Sequence, residues 1–205
     1  MDSAASGCVA FDSVTITIFS SPGANYTINN PGQCYQGNQF DVQDQSSLSS
    51  GSYTVSWNWG DGNTDTTLTA SHTYASSGSY RLSLTVTSDM GCIDTLSSQV
   101  DVFAMPTATI SFNSDSVQCL NGNEFIVSDA TVNGVSRNWD FGNGAQDTAL
   151  QSRNKYSNSG NYTISLITTD ANGCIDTTTH DVMVLESPGA NYTINNPGQC
   201  YQGNQ

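Results

Sequence analysis

Residues 21–39 (SPGANYTINNPGQCYQGNQ) recur without a single change at residues 187–205, an offset of 166 positions. Nineteen identical positions are not convergence on a strand pattern; they mark a recent duplication, and a periodic chain must fold as a series of like units. A weaker half-period lies inside the long one. Gly7-Cys8, Gly91-Cys92 and Gly173-Cys174 are spaced by 84 and then 82 residues. Likewise Cys34-Tyr35-Gln36-Gly37-Asn38-Gln39-Phe40 matches Cys119-Leu120-Asn121-Gly122-Asn123-Glu124-Phe125. The repeating unit is therefore a pair of similar domains of roughly 80 residues each, in an A-B-A-B order.

This pattern places two complete domains at 22–105 and 106–187, meeting near Pro106 and Pro188. Residues 1–21 align with the end of a preceding domain and 188–205 with the start of a following one, so the chain is expected to be a window on a longer array. Met1 is followed by Asp2-Ser3-Ala4-Ala5, with neither a basic n-region nor an apolar h-region, which is not the pattern of a signal peptide.

Composition narrows the class. Among 205 residues there are 4 Lys and Arg against 18 Asp and Glu, a formal net charge of −14, and Glu124 and Glu186 are the only glutamates. So few cations leave no electrostatic footprint for nucleic acid or an anionic membrane. No apolar run approaches the ~20 residues a spanning helix needs. Ser, Thr, Asn, Gly and Tyr dominate where a helical bundle would carry Glu, Lys, Leu and Ala. A secreted, all-β, turn-rich protein remains.

Period-2 alternation supplies the strands. Tyr80, Leu82, Leu84 and Val86 face one way while Arg81, Ser83, Thr85 and Thr87 face the other, and Tyr162-Thr163-Ile164-Ser165-Leu166 repeats the pattern. The segments 101–103 and 181–185 read as closing strands. Short strands with Gly, Asn, Asp and Ser turns every 8–12 residues or so predict a two-sheet sandwich of about seven strands per domain. Cores of this size are marginal, and the cysteines read as staples. Cys34 precedes the second strand and Cys92 the last, and Cys119 and Cys174 repeat that arrangement. The expected bridges are Cys34–Cys92 and Cys119–Cys174, each worth about 4 kcal/mol in the chain-entropy picture. Cys8 and Cys200 are then halves of bridges in neighbouring domains. Metal binding is the rival use, but no CxxC and only two histidines occur. Disulfides in turn require an oxidising, extracellular compartment.

One motif is more specific than the periodicity. Trp57-Asn58-Trp59-Gly60-Asp61-Gly62 is followed by His72-Thr73-Tyr74 and Gly78-Ser79-Tyr80; Trp139-Asp140-Phe141-Gly142-Asn143-Gly144 is followed by Asn154-Lys155-Tyr156 and Gly160-Asn161-Tyr162. This resembles the PKD (polycystic-kidney-disease-type) domain family, with its W-x-F-G-D-G turn, H-x-Y and G-x-Y. Trp59 stands where the family usually has Phe, Asn143 where it has Asp, and Asn154 where it has His. The Gly-Cys pair before the last strand is similar to PKD and Ig-like repeats in cell-surface proteins of Bacteroidetes-type bacteria. The resemblance implies tandem Ig-like β-sandwiches. Physically, Trp57 and Trp139 anchor the core, the Gly-containing turns supply positive φ and Asx hydrogen bonds, and His72 with Tyr74 packs or bonds against that turn.

Candidate sites follow. No catalytic constellation exists: His72 and His180 sit at non-equivalent positions, and no nucleophile elbow or paired carboxylates occur. The chain is read as non-enzymatic, without a required cofactor. The resemblance makes Ca²⁺ a candidate ligand, with Asp61, Asp65, Asp89 and Asp94 as oxygen donors; Asn143 in place of an Asp, and the lack of a D-x-D-x-D-G loop, favour a solvated acidic surface instead. In bacteria of the kind named, O-glycans are attached at Asp-(Ser/Thr)-(Ala/Ile/Leu/Val/Met/Thr). Seven matches place candidate acceptors at Ser3, Ser13, Thr66, Thr95, Ser116, Thr148 and Thr177, against roughly two expected by chance. The plainer explanation is that Asp-Thr steps suit turns. Asn25, Asn161 and Asn191 head Asn-Tyr-Thr sequons. Trp59 and Tyr35 are the aromatics considered for carbohydrate binding.

Together these features describe a repeat of a long extracellular fibre, stalk or adhesin at the cell surface, partnered by copies of itself and by glycans, with no nucleic acid and no membrane span. The alternative is a carbohydrate-binding accessory region of a secreted polysaccharide-degrading enzyme.

Overall fold

The computed structural model describes residues 12–191 and 193. Ser3, Cys8 and Cys200 lie outside the described residues. The chain divides into two compact units that meet between Ala104 and Met105.

The first domain has eight strands: β1 (Tyr26–Ile28), β2 (Gly32–Cys34), β3 (Phe40–Asp44), β4 (Tyr53–Asn58), β5 (Thr64–Asp65), β6 (Thr69–His72), β7 (Gly78–Ser88) and β8 (Ile93–Phe103). They form a three-stranded sheet, β1-β3-β6, and a five-stranded sheet, β2-β8-β7-β4-β5. The second domain repeats this with β9 (Ile110–Phe112), β10 (Val117–Cys119), β11 (Phe125–Asp129), β12 (Gly134–Asp140), β13 (Gln146–Asp147), β14 (Gln151–Asn154), β15 (Gly160–Asp170) and β16 (Ile175–Leu185). Its sheets run β14-β11-β9 and β10-β16-β15-β12-β13. The eighth strand beyond the expected seven is the two-residue β5 or β13. It pairs back on β4 or β12 beside the tryptophan, Trp57 opposite Asp65 and Trp139 opposite Asp147. The fold is all-β, as the alternation predicts.

Burial follows the period-2 pattern. In β7, Leu82, Leu84 and Val86 are buried while Arg81 is exposed. They meet Phe40, Val42, Val55, Trp57, Trp59, Val100 and Val102 in one core. Ile164 and Leu166 of β15 meet Phe125, Val127, Trp139 and Phe141 in the other. Fully buried aromatics give the most apolar contact per residue ordered, so truncating Trp57 or Trp139 removes about 3–5 kcal/mol from a small core.

The backbone of each domain is its longest hairpin. β7 and β8 are eleven residues each and pair from Thr87 opposite Ile93 to Gly78 opposite Val102; β15 and β16 pair in the same way. At about 3.3 Å per residue the hairpin is about 35 Å long. The chain reaches each domain at the Ile93 or Ile175 end, here termed proximal. Ala24 N–H donates to Asp94 Oδ2 at 2.8 Å, and Ala108 N–H donates to Asp176 Oδ2 at 2.8 Å. It leaves at Phe103 or Leu185, the distal end.

Candidate functional site

The turn after each tryptophan is a polar lock closing the distal half of the core. Trp59 ends the strand motif and is buried, with Gly60 directly after it. Gly60 has φ +83°, and a Cβ there would lie 2.7 Å from the Arg81 carbonyl oxygen. Asn58 and Asp61 cap the turn, accepting hydrogen bonds from Gly60 N–H at 2.9 Å and Asn63 N–H at 3.0 Å. His72 reaches over from β6, its ring stacked on Trp59 at 4.8 Å and its Nε2 2.7 Å from Asp61 Oδ2. Burial pushes the Asp61 carboxyl up, but hydrogen bonds from Asn63 and His72 outweigh it and hold the group below the usual carboxylate range.

Beneath the turn, Tyr74 O–H donates to the Trp59 carbonyl at 2.7 Å and its ring stacks on Tyr80 at 3.9 Å. Burial raises the Tyr74 hydroxyl pKa, with the Asp61 charge adding to it, so the group stays a neutral donor. Asn38, itself buried, accepts from Tyr74 N–H at 2.8 Å and donates to the Tyr35 and Tyr74 carbonyls. The second domain reproduces the frame: Tyr156 O–H to the Phe141 carbonyl at 2.8 Å, Tyr156 on Tyr162 at 3.9 Å, and Asn123 in the place of Asn38. Only the His–Asp hydrogen bond is missing. Asn154 replaces His72, and its Nδ2 is buried without a partner. His72 thus does what the motif implies, and it is a structural role.

The cysteines correct a sequence expectation. Cys34 and Cys174 are disulfide-bonded, whereas Cys92 and Cys119 are free thiols. The bridges Cys34–Cys92 and Cys119–Cys174 are not formed, for a geometric reason. β2 pairs in parallel with the last three residues of β8, setting Cys34 opposite Phe103; β10 sets Cys119 opposite Leu185. Cys92 and Cys174 each precede the first residue of that same long strand. Each expected pair is thus separated by a whole strand, about 35 Å, where a disulfide tolerates at most about 7 Å between Cα atoms.

The aspartates proposed as calcium ligands are spent separately. Asp61 serves the distal turn, Asp65 accepts from Thr67 N–H at 2.8 Å, and Asp94 holds Ala24. Asp89 lies at the proximal end, where its Oδ2 accepts from Ser52 N–H at 3.4 Å. Among the described residues no three His, Cys, Asp or Glu side chains form a group that could hold a metal ion. Neither carbohydrate candidate is a platform: Trp59 is 2% exposed, and Tyr35, 43% exposed, has its hydroxyl bonded to the Ala75 carbonyl. The glycan acceptors Ser13, Thr66, Thr95, Thr148 and Thr177 are exposed and Ser116 is half-buried. Four of their aspartates have other employment. Asp65 and Asp147 cap the turns at Thr67 and Ala149, and Asp94 and Asp176 fasten the incoming chain. Sequence reasoning missed that fastening role, although the Gly-Cys-Ile-Asp string at 91–94 and 173–176 carries it in both domains. No helix among the described residues is long and apolar enough to cross a membrane.

Known proteins match this arrangement. The sequence profile of the PKD domain matches residues 20–104 and again 104–185. A microbial collagenase of Vibrio alginolyticus is 39% identical over 66 residues, covering 32% of this chain and 8% of the collagenase. Among solved structures, the PKD1 domain of the Vibrio cholerae metalloprotease PrtV is 31% identical over 40% of this chain and 96% of its own, with a TM-score of 0.36. The PKD1 domain of Vibrio anguillarum Epp is 26% identical over 41% of this chain and 95% of its own, TM-score 0.36.

Proposed function

The chain belongs to the PKD domain family, present in two consecutive copies, and from that premise we propose that it is a non-enzymatic structural repeat of a long extracellular fibre, stalk or adhesin built head-to-tail. The observation that carries this reading is the polarity of each domain. The chain is fastened at one end of an eleven-residue hairpin by Asp94 or Asp176 and leaves at the other. A domain traversed from end to end adds its length to a series, whereas one whose termini are adjacent hangs as a side module. Stability and extension are then sums over near-identical units and their junctions, and head-to-tail contacts extend without closing. The 166-residue repeat supplies the series.

The partners on this reading are neighbouring copies of the same repeat, and the location is outside the cell, where disulfides such as those of Cys34 and Cys174 persist. Surface O-glycans at the exposed acceptors would coat the rod; an intact mass of the native material equal to the bare polypeptide would remove that part. Negative-stain microscopy of native material tests the main reading. Thin rods with a period set by two domains are expected, and dispersed globular particles would refute it.

The collagenase match supports a second reading, an accessory region of a secreted hydrolase. It predicts retention on an insoluble polymer substrate, which a pull-down with the purified chain reads directly.

A further inference from the structure

The four described cysteines sort by end rather than by domain. Cys34 and Cys119 are distal, level with Phe103 and Leu185; Cys92 and Cys174 are proximal, one residue before β8 and β16. Every domain therefore presents one cysteine where the chain arrives and one where it departs, and the two cannot reach each other. One member of each class, distal Cys34 and proximal Cys174, is disulfide-bonded. Their positional equivalents, distal Cys119 and proximal Cys92, are thiols, the first exposed and the second half-buried.

We propose that Cys119 and Cys92 are each other's mates between successive copies of this two-domain unit, Cys119 of one copy bonding Cys92 of the next. The identity of the partner rests on the head-to-tail reading above. The sequence supplies the tether. Leu185, level with Cys119, is followed after four residues by Ala190, the repeat of Ala24. In the first domain Ala24 is held by Asp94, two residues from Cys92. Five chain steps span at most about 18 Å, so distal and proximal cysteines of consecutive copies meet as an intramolecular pair at an effective concentration on the order of millimolar. A like-with-like bond, distal to distal or proximal to proximal, would lack this tether.

The chemistry is two-step exchange with a disulfide oxidant, either a small disulfide or an oxidoreductase. The Cys119 thiolate attacks one oxidant sulfur, forming a mixed disulfide and releasing the first thiol. The Cys92 thiolate then attacks the Cys119 sulfur, closing the Cys119–Cys92 bond and releasing the second. The two cysteines lose two protons and two electrons, and the oxidant's S–S bond becomes two thiols. Each junction between successive copies would then be covalently clamped beside its peptide link, which limits the extension gained when a domain there unfolds under load.

Two measurements test this. Cleavage before aspartate frees Cys92 in residues 89–93 and Cys119 in residues 115–128, so linked peptides are identified by mass. In native material alkylated without reduction, both cysteines are expected to be protected and recovered as the mixed 89–93/115–128 peptide. Second, the purified chain is oxidised with glutathione disulfide, scoring only crosslinks through these two peptides. Cys92→Ser or Cys119→Ser alone is expected to lose them, and an equimolar mixture of the two variants to restore the mixed peptide. Symmetric Cys92–Cys92 or Cys119–Cys119 peptides, or thiols alkylated in full in native material, would overturn the proposal. Rods seen by microscopy with both thiols free would refute the clamp and leave the fibre reading standing; a mixed peptide without rods would do the reverse.

Discussion

Two glycines separated by one residue in the same turn make unequal demands, and the difference can be measured. Gly60 and Gly62 both have positive φ, +83° and +98°. An added Cβ at Gly62 meets nothing within 4 Å, whereas at Gly60 it would lie 2.7 and 2.8 Å from the backbone oxygen and nitrogen of Arg81 on β7. Gly62→Ala therefore costs only the left-handed conformation, about 1–2 kcal/mol, less roughly 0.4–1 kcal/mol regained from a stiffer unfolded chain. Gly60→Ala carries the same terms plus a clash with a central strand that cannot yield without moving the sheet, a further 1–3 kcal/mol or so. For a domain of this size each kcal/mol lowers the melting temperature by about 4–8 °C, so the two variants should differ by roughly 4–24 °C. Thermal unfolding followed by tryptophan fluorescence reads the first domain through Trp57 and Trp59, and hydrogen exchange by mass spectrometry separates it from the second. Gly142→Ala, with its Cβ 2.8 Å from the Thr163 carbonyl oxygen, and the unobstructed Gly144→Ala provide an internal replicate. Equal destabilisation by Gly60→Ala and Gly62→Ala would refute the steric argument.

The same lock yields further tests. Tyr74→Phe and Tyr156→Phe each strand a buried carbonyl, that of Trp59 or Phe141, and should cost about 1–3 kcal/mol by urea denaturation. Because the Asp61 carboxyl of the lock is held below its unfolded value, its contribution is complete above the unfolded carboxylate pKa and is lost as pH falls through the lower folded value. Melting temperature should decline on acidification below about pH 4, and Asp61→Asn should flatten that decline in the first domain alone. Transplanting the His–Asp hydrogen bond as Asn143→Asp with Asn154→His should give the second domain a favourable coupling of about 0.5–1 kcal/mol in a double-mutant cycle, since the first domain's pair is half-buried.

Much of the sandwich is legible in the residues. β7 and β15 alternate strictly because one face is core and the other is solvent, and the W-x-W/F-G turn must follow a buried strand because its glycine accepts no side chain. The amino halves of β8 and β16 are not legible. Ile93 is exposed and out of phase with Val100 and Val102, and Leu96, in phase with them, is exposed as well, so hydrophobic periodicity marks only 101–103. These halves are strands because β7 and β15 continue their registered pairing without a break to Ile93 and Ile175, a tertiary reason with no local signature. Losing them hid the cysteine geometry: with a short closing strand, Cys34 and Cys92 look like neighbours.

What the sequence by itself determined is periodicity and chemistry type. Exact duplication dictates like domains in series, alternation dictates sheets, and the W-x-W/F-G turn with its H/N-x-Y and G-x-Y partners points to the PKD family. What only the tertiary structure decided is direction. Parallel pairing of β2 with the far end of β8, and of β10 with the far end of β16, sends one cysteine of each domain to the departing end and leaves the other at the arriving end. Sequence separation along a strand does not report which end of a neighbour it lies against; hydrogen-bond register does. That register turns two apparent intradomain staples into cysteines divided between the two ends of each domain.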